Sequence, residues 1–357
     1  MTQSWLEKLQ SISTIPLKEK LFFIKNLTVM TKSGINLTSC LTTLAKQTNN
    51  RRFAKIIETI KVDTESGLPF HQAVGKHLGI FDPIFISMIE AGETSGKLQE
   101  VLEQIFLQLK KTHDLRNKII SALIYPSVVA GAMIIIGLAM MILVVPKITA
   151  IFAEQNADLP LITKIIIGFS NFLINYWYLD LLILIAIIIA VVMAKHSLLI
   201  KKIFQKISLY LPIFGPISKK INLSQFTRTF SSLLKTNIPV EKSLIITANT
   251  LRSYWYQTAL KESAASIIKG SSLTNILKQY PALFPPLIIQ MTAAGEESGS
   301  IDDLFLELAK FYEAEVDETM RTLPALLEPI LILIIGAAVS LMAVGILMPM
   351  YTITQHL

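Results

Sequence analysis

The chain has 357 residues, of which 52% are hydrophobic and 17% charged, and its formal net charge is +7. An ordinary soluble domain carries about 25% charged residues, so this composition excludes a typical soluble globular protein. The one cysteine, Cys40, excludes a disulfide framework and a thiolate metal site within the chain. We expect Cys40 to be a small buried side chain. The N-terminus lacks the apolar core of a signal peptide and is expected to be cytoplasmic.

Three long apolar stretches in the sequence are free of charged side chains. Residues 119–145 and 329–357 contain no Lys, Arg, Asp or Glu, and neither does the shorter stretch 181–194. A membrane helix needs about 20 apolar residues to cross a hydrocarbon core of about 30 Å. The first and third stretches meet that length, and the second reaches it with residues 177–179 added. The sequence therefore predicts three transmembrane helices.

The distribution of basic residues predicts the orientation. Residues 1–118 contain 16 Lys and Arg, residues 195–321 contain 15, and residues 146–179 contain two. Lys- and Arg-rich flanks stay in the cytoplasm. The predicted domains are a cytoplasmic domain 1–118, a transmembrane helix 119–145, a periplasmic loop 146–175, a transmembrane helix 176–194, a second cytoplasmic domain 195–322, a transmembrane helix 323–351 and a periplasmic tail 352–357.

Helical signals follow one another along the first cytoplasmic domain. Phe23, Leu27 and Met30 fall at i, i+4 and i+7, which is one face of a helix, and Gly34 ends that helix. The pattern then predicts helices over residues 38–48, 51–65 and 70–77, a fifth that starts at the Phe-Asp-Pro of 81–83 because proline fits a first helical turn, and a sixth from about residue 97. Period-two alternation and Asn-Gly turns, which indicate strands, do not occur in the pattern.

The chain contains an internal repeat with a constant offset of 203 residues. The segment MIEAGETSGKL at 88–98 matches MTAAGEESGSI at 291–301, and the same offset aligns Phe23 with Phe226. The register continues into the apolar stretches, where Pro126 aligns with Pro329 and Pro146 with Pro349. The predicted fold is therefore an all-α membrane protein with two repeated six-helix cytoplasmic domains and three transmembrane helices.

The best-matched segment is a Gly-Glu-x-Ser-Gly turn between the fifth and sixth helices of each repeat. Its candidate site residues are Gly92, Glu93, Ser95 and Gly96 in the first repeat and Gly295, Glu296, Ser298 and Gly299 in the second. Two glycines permit a tight turn, and the serine is able to cap the next helix. Two interpretations stay open: a structural helix–helix corner, or a loop that faces a partner or the other domain.

No catalytic, cofactor-binding or metal-binding residues are predicted. The turn with Lys97 differs from a phosphate-binding loop, which needs four residues between its glycines and Ser or Thr after the lysine. The five histidines lack metal-site spacing. We therefore predict that the protein is not an enzyme, although a metal shared between chains by surface carboxylates stays open. Since Lys and Glu are interspersed, we expect no nucleic-acid binding, and lipid headgroups are the expected partners of the basic residues near the membrane.

Two dipeptides in the first and third apolar stretches are further candidates. Tyr125-Pro126 and Glu328-Pro329 occupy equivalent positions, and a proline is expected to kink each transmembrane helix. At 1.5 Å per residue, Glu328 lies about 10 Å beyond Arg321. A carboxylate at that depth either reaches the headgroups or becomes protonated, or it contacts a cationic group of another membrane protein or of a neighbouring subunit.

These motifs together resemble one known family. The duplicated helical domain, the repeated MxxAGExSG segment, the two dipeptides before and at the prolines and the Val145-Pro146 pair are similar to the inner-membrane platform proteins of type II secretion and type IV pilus machines (the GspF/PilC family). The resemblance extends from about residue 20 to the end. Many members carry an additional segment before the first helical domain, and this chain is similar to the shorter ones.

The resemblance implies a role without chemistry of its own. A cytoplasmic hexameric ATPase, pilin or pseudopilin subunits and other inner-membrane assembly proteins are the implied partners, and the protein is implied to form a homo-oligomer, a dimer. The implied location is the bacterial inner membrane, with a cytoplasmic N-terminus and a periplasmic C-terminus. On this basis Glu93 and Glu296 would shape an ATPase-facing or domain–domain turn, and Glu328 would contact pilins.

Two rival functions remain open at the level of sequence. The first is a secondary transporter or channel. Three membrane helices per chain are few for such a protein, and the repeats of many transporters run in opposite directions across the membrane, whereas the repeats of this chain run in parallel. A membrane-bound signalling scaffold would have partners but would assemble no fibre.

Overall fold

The structure is a computed structural model that describes residues 15–154, 161–176 and 214–355, with five isolated positions between 178 and 186. All regular secondary structure in these residues is helical, as predicted. The chain divides into two compact units. The first comprises Met1–Asn117 and Gln205–Asp317, and the second comprises Lys118–Phe204 and Glu318–Leu357.

In the described part of the chain, each repeat contains the six helices that the sequence predicts. In the first repeat these are α1 (Leu17–Lys32), α2 (Leu37–Gln47), α3 (Arg51–Glu65), α4 (Phe70–Gly75), α5 (Pro83–Thr94) and α6 (Leu98–Ala139). A π-helical turn (Met140–Val144), α7 (Val145–Glu154) and α8 (Leu161–Asn175) follow. In the second repeat they are α9 (Phe214–Lys235), α10 (Val240–Thr250), α11 (Tyr254–Ile268), α12 (Leu273–Leu277), α13 (Pro286–Ser298) and α14 (Ile301–Gln355).

The cores of the two repeats are built on aromatic side chains at equivalent positions. The three rings in the first core and their counterparts 203 residues later are Phe23, Phe53 and Phe81, then Phe226, Tyr256 and Phe284. All six are fully or almost fully buried, and ring centroids within each trio lie about 5.5–6.2 Å apart, which is the contact range of edge-to-face and tilted pairs. The Tyr256 hydroxyl donates to the Leu283 carbonyl oxygen at 2.8 Å, so the one polar ring is satisfied. Cys40 is buried, as expected.

The two repeats pack against each other within the first unit, and the contact joins different parts of each repeat. The start of the second repeat, α9 and α10, contacts the end of the first, α5 and α6. Three apolar side chains of the second repeat are buried in the core cluster of the first, namely Leu233, Ile238 and Ile246. Polar pairs border them, since Lys242 Nζ lies 3.1 Å from Glu90 Oε2 and the Gln108 amide donates to Thr229 Oγ1 at 2.9 Å.

A charged trio extends the same contact along α6, α9 and α14. The Glu313 carboxylate accepts from Arg228 Nε at 2.6 Å and from Lys111 Nζ at 2.9 Å. Burial raises the pKa of Glu313, but the hydrogen bonds and positive charges of Arg228 and Lys111 outweigh it, and the pKa lies below its ordinary value. The carboxylate therefore stays ionised and links the two repeats at neutral pH.

Two helices of the described residues are long and apolar enough to cross a membrane. They span Leu98–Ala150 and Ile301–Gly345, and their apolar stretches coincide with the first and third predicted crossings. The side chains of these stretches are mostly exposed, which suits a surface that faces lipid. The middle predicted crossing, 176–194, lies largely outside the described residues.

The segment 146–175, expected as a loop, is helical where it is described. Helix α7 continues the first membrane-capable helix to Glu154, and α8 covers Leu161–Asn175. The expectation of a loop followed from the position of this segment between two predicted crossings and from its small number of Lys and Arg residues. Its apolar residues instead build α8, whose buried side chains Thr163, Ile166 and Ser170 lie on one face at i, i+3 and i+7.

Helix α8 satisfies carbonyl groups that two equivalent prolines leave free. Proline lacks the N–H that would donate to the residue four before it. Pro349 therefore leaves the Gly345 carbonyl free, and the Thr163 hydroxyl donates to that oxygen at 2.8 Å. A Cβ at Gly345 would lie 2.4 Å from Ile166 Cδ1, so glycine permits the close approach of α8.

The π-helical turn shifts the same arrangement by one residue in the first repeat. There the Val145 N–H donates to the Met140 carbonyl, five residues earlier. By the same count Pro146 leaves the Met141 carbonyl free, and the Ser170 hydroxyl donates to it at 2.6 Å. One short helix thus bonds to both repeated membrane-capable helices at the carbonyls that their prolines free.

We expect Thr163→Val and Ser170→Ala to destabilise the second unit, because each leaves one carbonyl without a donor. Hydrogen bonds between membrane helices contribute about 0.6–1.7 kcal/mol each. Thermal unfolding of the purified protein in mild detergent would measure the loss. Thr163→Ser and Ser170→Thr keep the hydroxyl and serve as matched controls. Thr163→Val as stable as Thr163→Ser would contradict this account of α8.

Candidate functional site

The two glycines of each turn have different physical roles. Gly96 and Gly299 have φ of +70° and +69°, a left-handed conformation that favours glycine and ends the fifth helix. Gly92 and Gly295 are buried inside that helix. A Cβ on Gly92 would lie 2.8 Å from Val101 side-chain atoms, and one on Gly295 would lie 3.0 Å from the Ile301 Cα. The first glycine of the motif therefore lets the sixth helix approach, and the second reverses the chain.

The two serines do not cap the sixth helix. The Ser95 hydroxyl donates to the Ala91 carbonyl oxygen at 2.7 Å, and the Ser298 hydroxyl donates to the Ala294 carbonyl oxygen at the same distance. Both bonds return to the fifth helix, four residues back. Local spacing permits either bond, and the last carbonyls of the fifth helix lie closer to these hydroxyls because the chain reverses at the following glycine.

The two glutamates cap the fourth helix of their own repeat. Glu93 accepts from the backbone N–H groups of Phe70 at 2.8 Å and His71 at 3.1 Å, one to each carboxylate oxygen. These are the first two residues of α4, whose N-terminal neighbour Pro69 has no side-chain acceptor. The first N–H groups of a helix lack partners within it, and the positive end of the helix dipole favours a carboxylate.

The second repeat has the same geometry at the same offset. Glu296 accepts from the Leu273 N–H at 2.6 Å and the Thr274 N–H at 3.1 Å, and Ser272 accepts from the Asn275 N–H. Sequence reasoning missed this role because the carboxylate and the helix it caps are 22–23 residues apart. The signal in the sequence was Pro69: it precedes a short helix but has no side-chain acceptor, so the first N–H groups of that helix need an acceptor from elsewhere in the chain.

His71 makes the first repeat differ from the second. Its Nδ1 lies 2.6 Å from Glu93 Oε2, and the equivalent residue in the second repeat is Thr274. Partial burial raises the pKa of Glu93, but hydrogen bonds from the His71 ring and from the His71 and Phe70 backbone outweigh it. The pKa of Glu93 therefore lies below its ordinary value, and the carboxylate is ionised at neutral pH.

The crests of the two turns are exposed, but their surroundings differ. Ser95 and Lys97 of the first turn line a groove together with Lys235 and Asn237 of the second repeat, so the first turn borders the contact between repeats. In the second turn Ser298 and Gly299 are exposed. The glutamate is thus engaged within its repeat, and the exposed crest is the part of the turn that is open to a partner.

The membrane candidates lie on the two membrane-capable helices. Pro126 lies inside α6, which remains continuous from Leu98 to Ala139, and Pro329 lies inside α14. The side chains of Tyr125 and Glu328 are exposed. Each of them is therefore available to lipid or to another protein, and the predicted contact of Glu328 with a pilin remains a prediction.

Within residues 15–154, 161–176 and 214–355 the structure contains no group of three or more His, Cys, Asp or Glu side chains arranged to hold a metal ion. Four of the five contacts made by the turn glutamates are helix-capping bonds from backbone N–H groups, and the fifth joins Glu93 to the His71 ring.

Comparison with known families identifies the same two segments as the internal repeat. The family described as "Type II secretion system (T2SS), protein F" matches residues 23–146 and residues 226–349. The two matches are offset by 203 residues, and each runs from the first core phenylalanine to the proline whose freed carbonyl α8 satisfies. Each match therefore contains one six-helix domain, one Gly-Glu-x-Ser-Gly turn and one apolar helix.

Individual proteins are similar over most of the chain. The type IV pilus assembly protein PilC of Thermus thermophilus is 32% identical, with 94% of this chain and 83% of that protein covered. The type II secretion system protein F of Vibrio cholerae is 27% identical, covering 91% and 80%. The protein transport protein HofC homolog of Escherichia coli is 29% identical, covering 92% and 82%.

We expect Glu93→Gln to destabilise the first repeat at neutral pH, because the amide offers one acceptor oxygen where the carboxylate offers two. An unsatisfied buried donor costs about 1–3 kcal/mol. The pKa of Glu93 is lower in the folded state, so its stabilising effect is present above the ordinary glutamate pKa and is lost as pH falls through the lowered value. The difference between variant and wild type should close over that acid range.

Thermal unfolding in detergent, followed from pH 7 downward, would test this expectation. Glu297→Gln is the matched control, since Glu297 is the exposed residue beside the capping Glu296. A Glu93→Gln variant that unfolds with wild-type stability at pH 7, or a stability difference that grows steadily as carboxylates become protonated, would contradict the capping role.

Proposed function

Because the chain belongs to the family of type II secretion system protein F, we propose that it is the inner-membrane platform protein of a type II secretion or type IV pilus assembly machine. The observation that carries this proposal is that both matched segments contain six helices, of which the sixth continues into an apolar stretch, at a fixed offset along the chain. In this proposal the two six-helix domains lie in the cytoplasm, and the C-terminus lies in the periplasm.

A platform of this kind would connect a cytoplasmic hexameric ATPase to subunits in the membrane. Two features of the chain support such coupling. Helices α6 and α14 each run without interruption from a helical domain into an apolar stretch. Helix α8 bonds to the apolar parts of both, so a displacement of one is opposed by the other. The protein needs no catalytic site of its own for this role, because the ATPase supplies the free energy.

The candidate residues acquire different tasks under this proposal. The capping by Glu93 and Glu296 ties the end of the fifth helix to the start of the fourth in each repeat. The exposed crest of the second turn, Ser298 and Gly299, is the part that would face the ATPase or another assembly protein. The first crest borders the second repeat and acts as a domain–domain turn.

Glu328 is the proposed contact for pilin or pseudopilin subunits. Its carboxylate lies on an apolar helix and is exposed, where an isolated charge is unfavourable and a cationic partner in the membrane would stabilise it. Truncating one member of a buried charge pair costs about 2–5 kcal/mol of binding. A subunit that meets Glu328 in the membrane would therefore be held strongly enough to be positioned before it enters a fibre.

Glu328→Gln in the native host should abolish or strongly reduce fibre assembly or secretion while the protein remains in the membrane at wild-type level. Fibres are counted by electron microscopy, and secreted substrate is measured by immunoblot, after deletion of the gene and complementation. Glu318→Gln is the matched control, because Glu318 lies on the same helix and pairs with Arg321. It should restore assembly fully.

Two outcomes would count against the proposal at different levels. Full complementation by Glu328→Gln would remove the role of this carboxylate and leave the platform role standing. A deletion strain with normal fibres and normal secretion would remove the platform role itself.

A further inference from the structure

The contact between the two repeats leaves one face of each repeat uncovered. The start of the second repeat packs on the end of the first, and the reverse pairing does not occur among the described residues, as the counterparts show. Ile238 is buried in the contact, with 5% of its surface exposed, whereas its counterpart Ile35 is 41% exposed. A contact that joins unlike faces repeats itself in further copies until the assembly closes.

The side chains at the contact change together between the two repeats. Within the chain, the Gln108 amide donates to Thr229 and accepts from the Ser232 hydroxyl at 3.4 Å. The counterpart of Gln108 is Phe311, and the counterpart of Ser232 is Val29. Both counterparts are exposed apolar side chains, at 46% for Phe311 and 55% for Val29. A polar pair in the existing contact thus corresponds to an apolar pair on the two uncovered faces.

The ion pair of the contact changes on both sides in the same way. Lys242 pairs with Glu90 within the chain. Their counterparts are Ser39 and Ala293, so neither uncovered face retains a charge that would need the missing partner. Removal of only one member of the pair would have left an unmatched charge.

Two residues that line the groove beside the first turn have counterparts of opposite charge on the two uncovered faces. Gln104 and Lys235 line the groove within the chain. The counterpart of Gln104 is Glu307 on the uncovered face of the second repeat, and the counterpart of Lys235 is Lys32 on the uncovered face of the first. Both counterpart side chains are about half exposed, and each also forms an ion pair within its own repeat, Lys32 with Glu103 at 2.7 Å and Glu307 with Lys310 at 2.6 Å. Opposite charges at matching positions favour association of the two faces.

We propose that the uncovered start of the first repeat, α1 and α2, docks on the uncovered end of the second repeat, α13 and α14, of another copy of this chain. In this contact Val29 packs against Phe311, and Ile35 takes the place that Ile238 takes within the chain. Two copies related by a two-fold axis would use the contact twice and cover both faces. This self-association surface adds to the proposed function, but it rests on the packing of the chain alone.

Site-directed cross-linking in native membranes tests the contact directly. One copy carries Val29→Cys and one affinity tag, and a co-expressed copy carries Phe311→Cys and a second tag. A short bismaleimide is then added. The expected result is a cross-linked heterodimer that both tags capture. Cys40 is buried, and the wild-type chain controls for its reactivity.

Two control pairs define what the reagent can reach. Gln108→Cys with Ser232→Cys in a single chain reports the existing contact and should give an intrachain product. Val62→Cys, an exposed position on α3, replaces Val29→Cys in the negative control and should give no heterodimer. Intrachain product without any heterodimer would overturn the proposal. Efficient linkage of Val29→Cys to itself would also overturn it, because that result requires like faces to meet.

A second measurement avoids dependence on the reagent. Phe311→Lys should weaken self-association about tenfold or more, as expected for a central interface aromatic, and native mass spectrometry in detergent would record the shift to monomer. Since Phe311 is exposed in the single chain, thermal stability should remain that of the wild type. Unchanged self-association would contradict the docking surface and would leave the fibre-assembly role untouched.

Discussion

One carboxylate in each repeat determines how the rest of the structure is arranged. The fourth helix is only a turn or two long, and its first N–H groups have no acceptor within the helix. Glu93 and Glu296 satisfy these groups from the turn that ends the fifth helix. The sixth helix begins within five residues of that glutamate and becomes the membrane-capable helix. The capping bonds therefore hold the end of the fifth helix, from which the sixth helix departs, against the start of the fourth.

In the apolar helices, backbone groups freed at a helix interruption also need a hydrogen-bond partner, but there the surrounding solvent is lipid. Water cannot satisfy a carbonyl group inside a membrane, so a carbonyl that a proline frees there needs a donor from the protein. Thr163 and Ser170 supply donors for the carbonyls that Pro349 and Pro146 free, from one face of α8. The two halves of the repeat are thus stabilised by the same principle, in which a backbone group at a helix interruption is paired with a side chain distant in sequence. In a platform protein, such pairs would keep the helices in a defined arrangement while partners act on them.

The sequence predicts most of the fold because its signals are local or exactly repeated in register. Phe23, Leu27 and Met30 mark the first helix face, glycines mark helix ends, and the 203-residue offset joins all six helices of one repeat to those of the other. The proposed serine caps were wrong because the same local spacing allows a bond back to the preceding helix.

Contacts between residues distant in the chain could not be predicted from the sequence. The bonds from Glu93 to α4, from Thr163 to Gly345 and from Gln108 to Thr229 join residues 22–182 positions apart, and no periodicity reports them. The segment 146–175 was expected as a loop for a related reason: its helix α8 is apolar but too short to read as a crossing, and it is identified by what it packs against. The packing also shows, as the sequence does not, that the start of the second repeat is covered by the first repeat while the start of the first repeat is uncovered.

We propose that the protein is a platform that connects an assembly ATPase to pilin-type subunits. Affinity purification of the tagged protein from its native membrane in mild detergent, with mass spectrometry of the proteins that accompany it, tests this most directly. The account predicts that a Walker-motif ATPase and small proteins with one N-terminal apolar helix are recovered together with it. A folded preparation that contains neither, and that conducts a solute in reconstituted vesicles, would contradict the account and support a transporter.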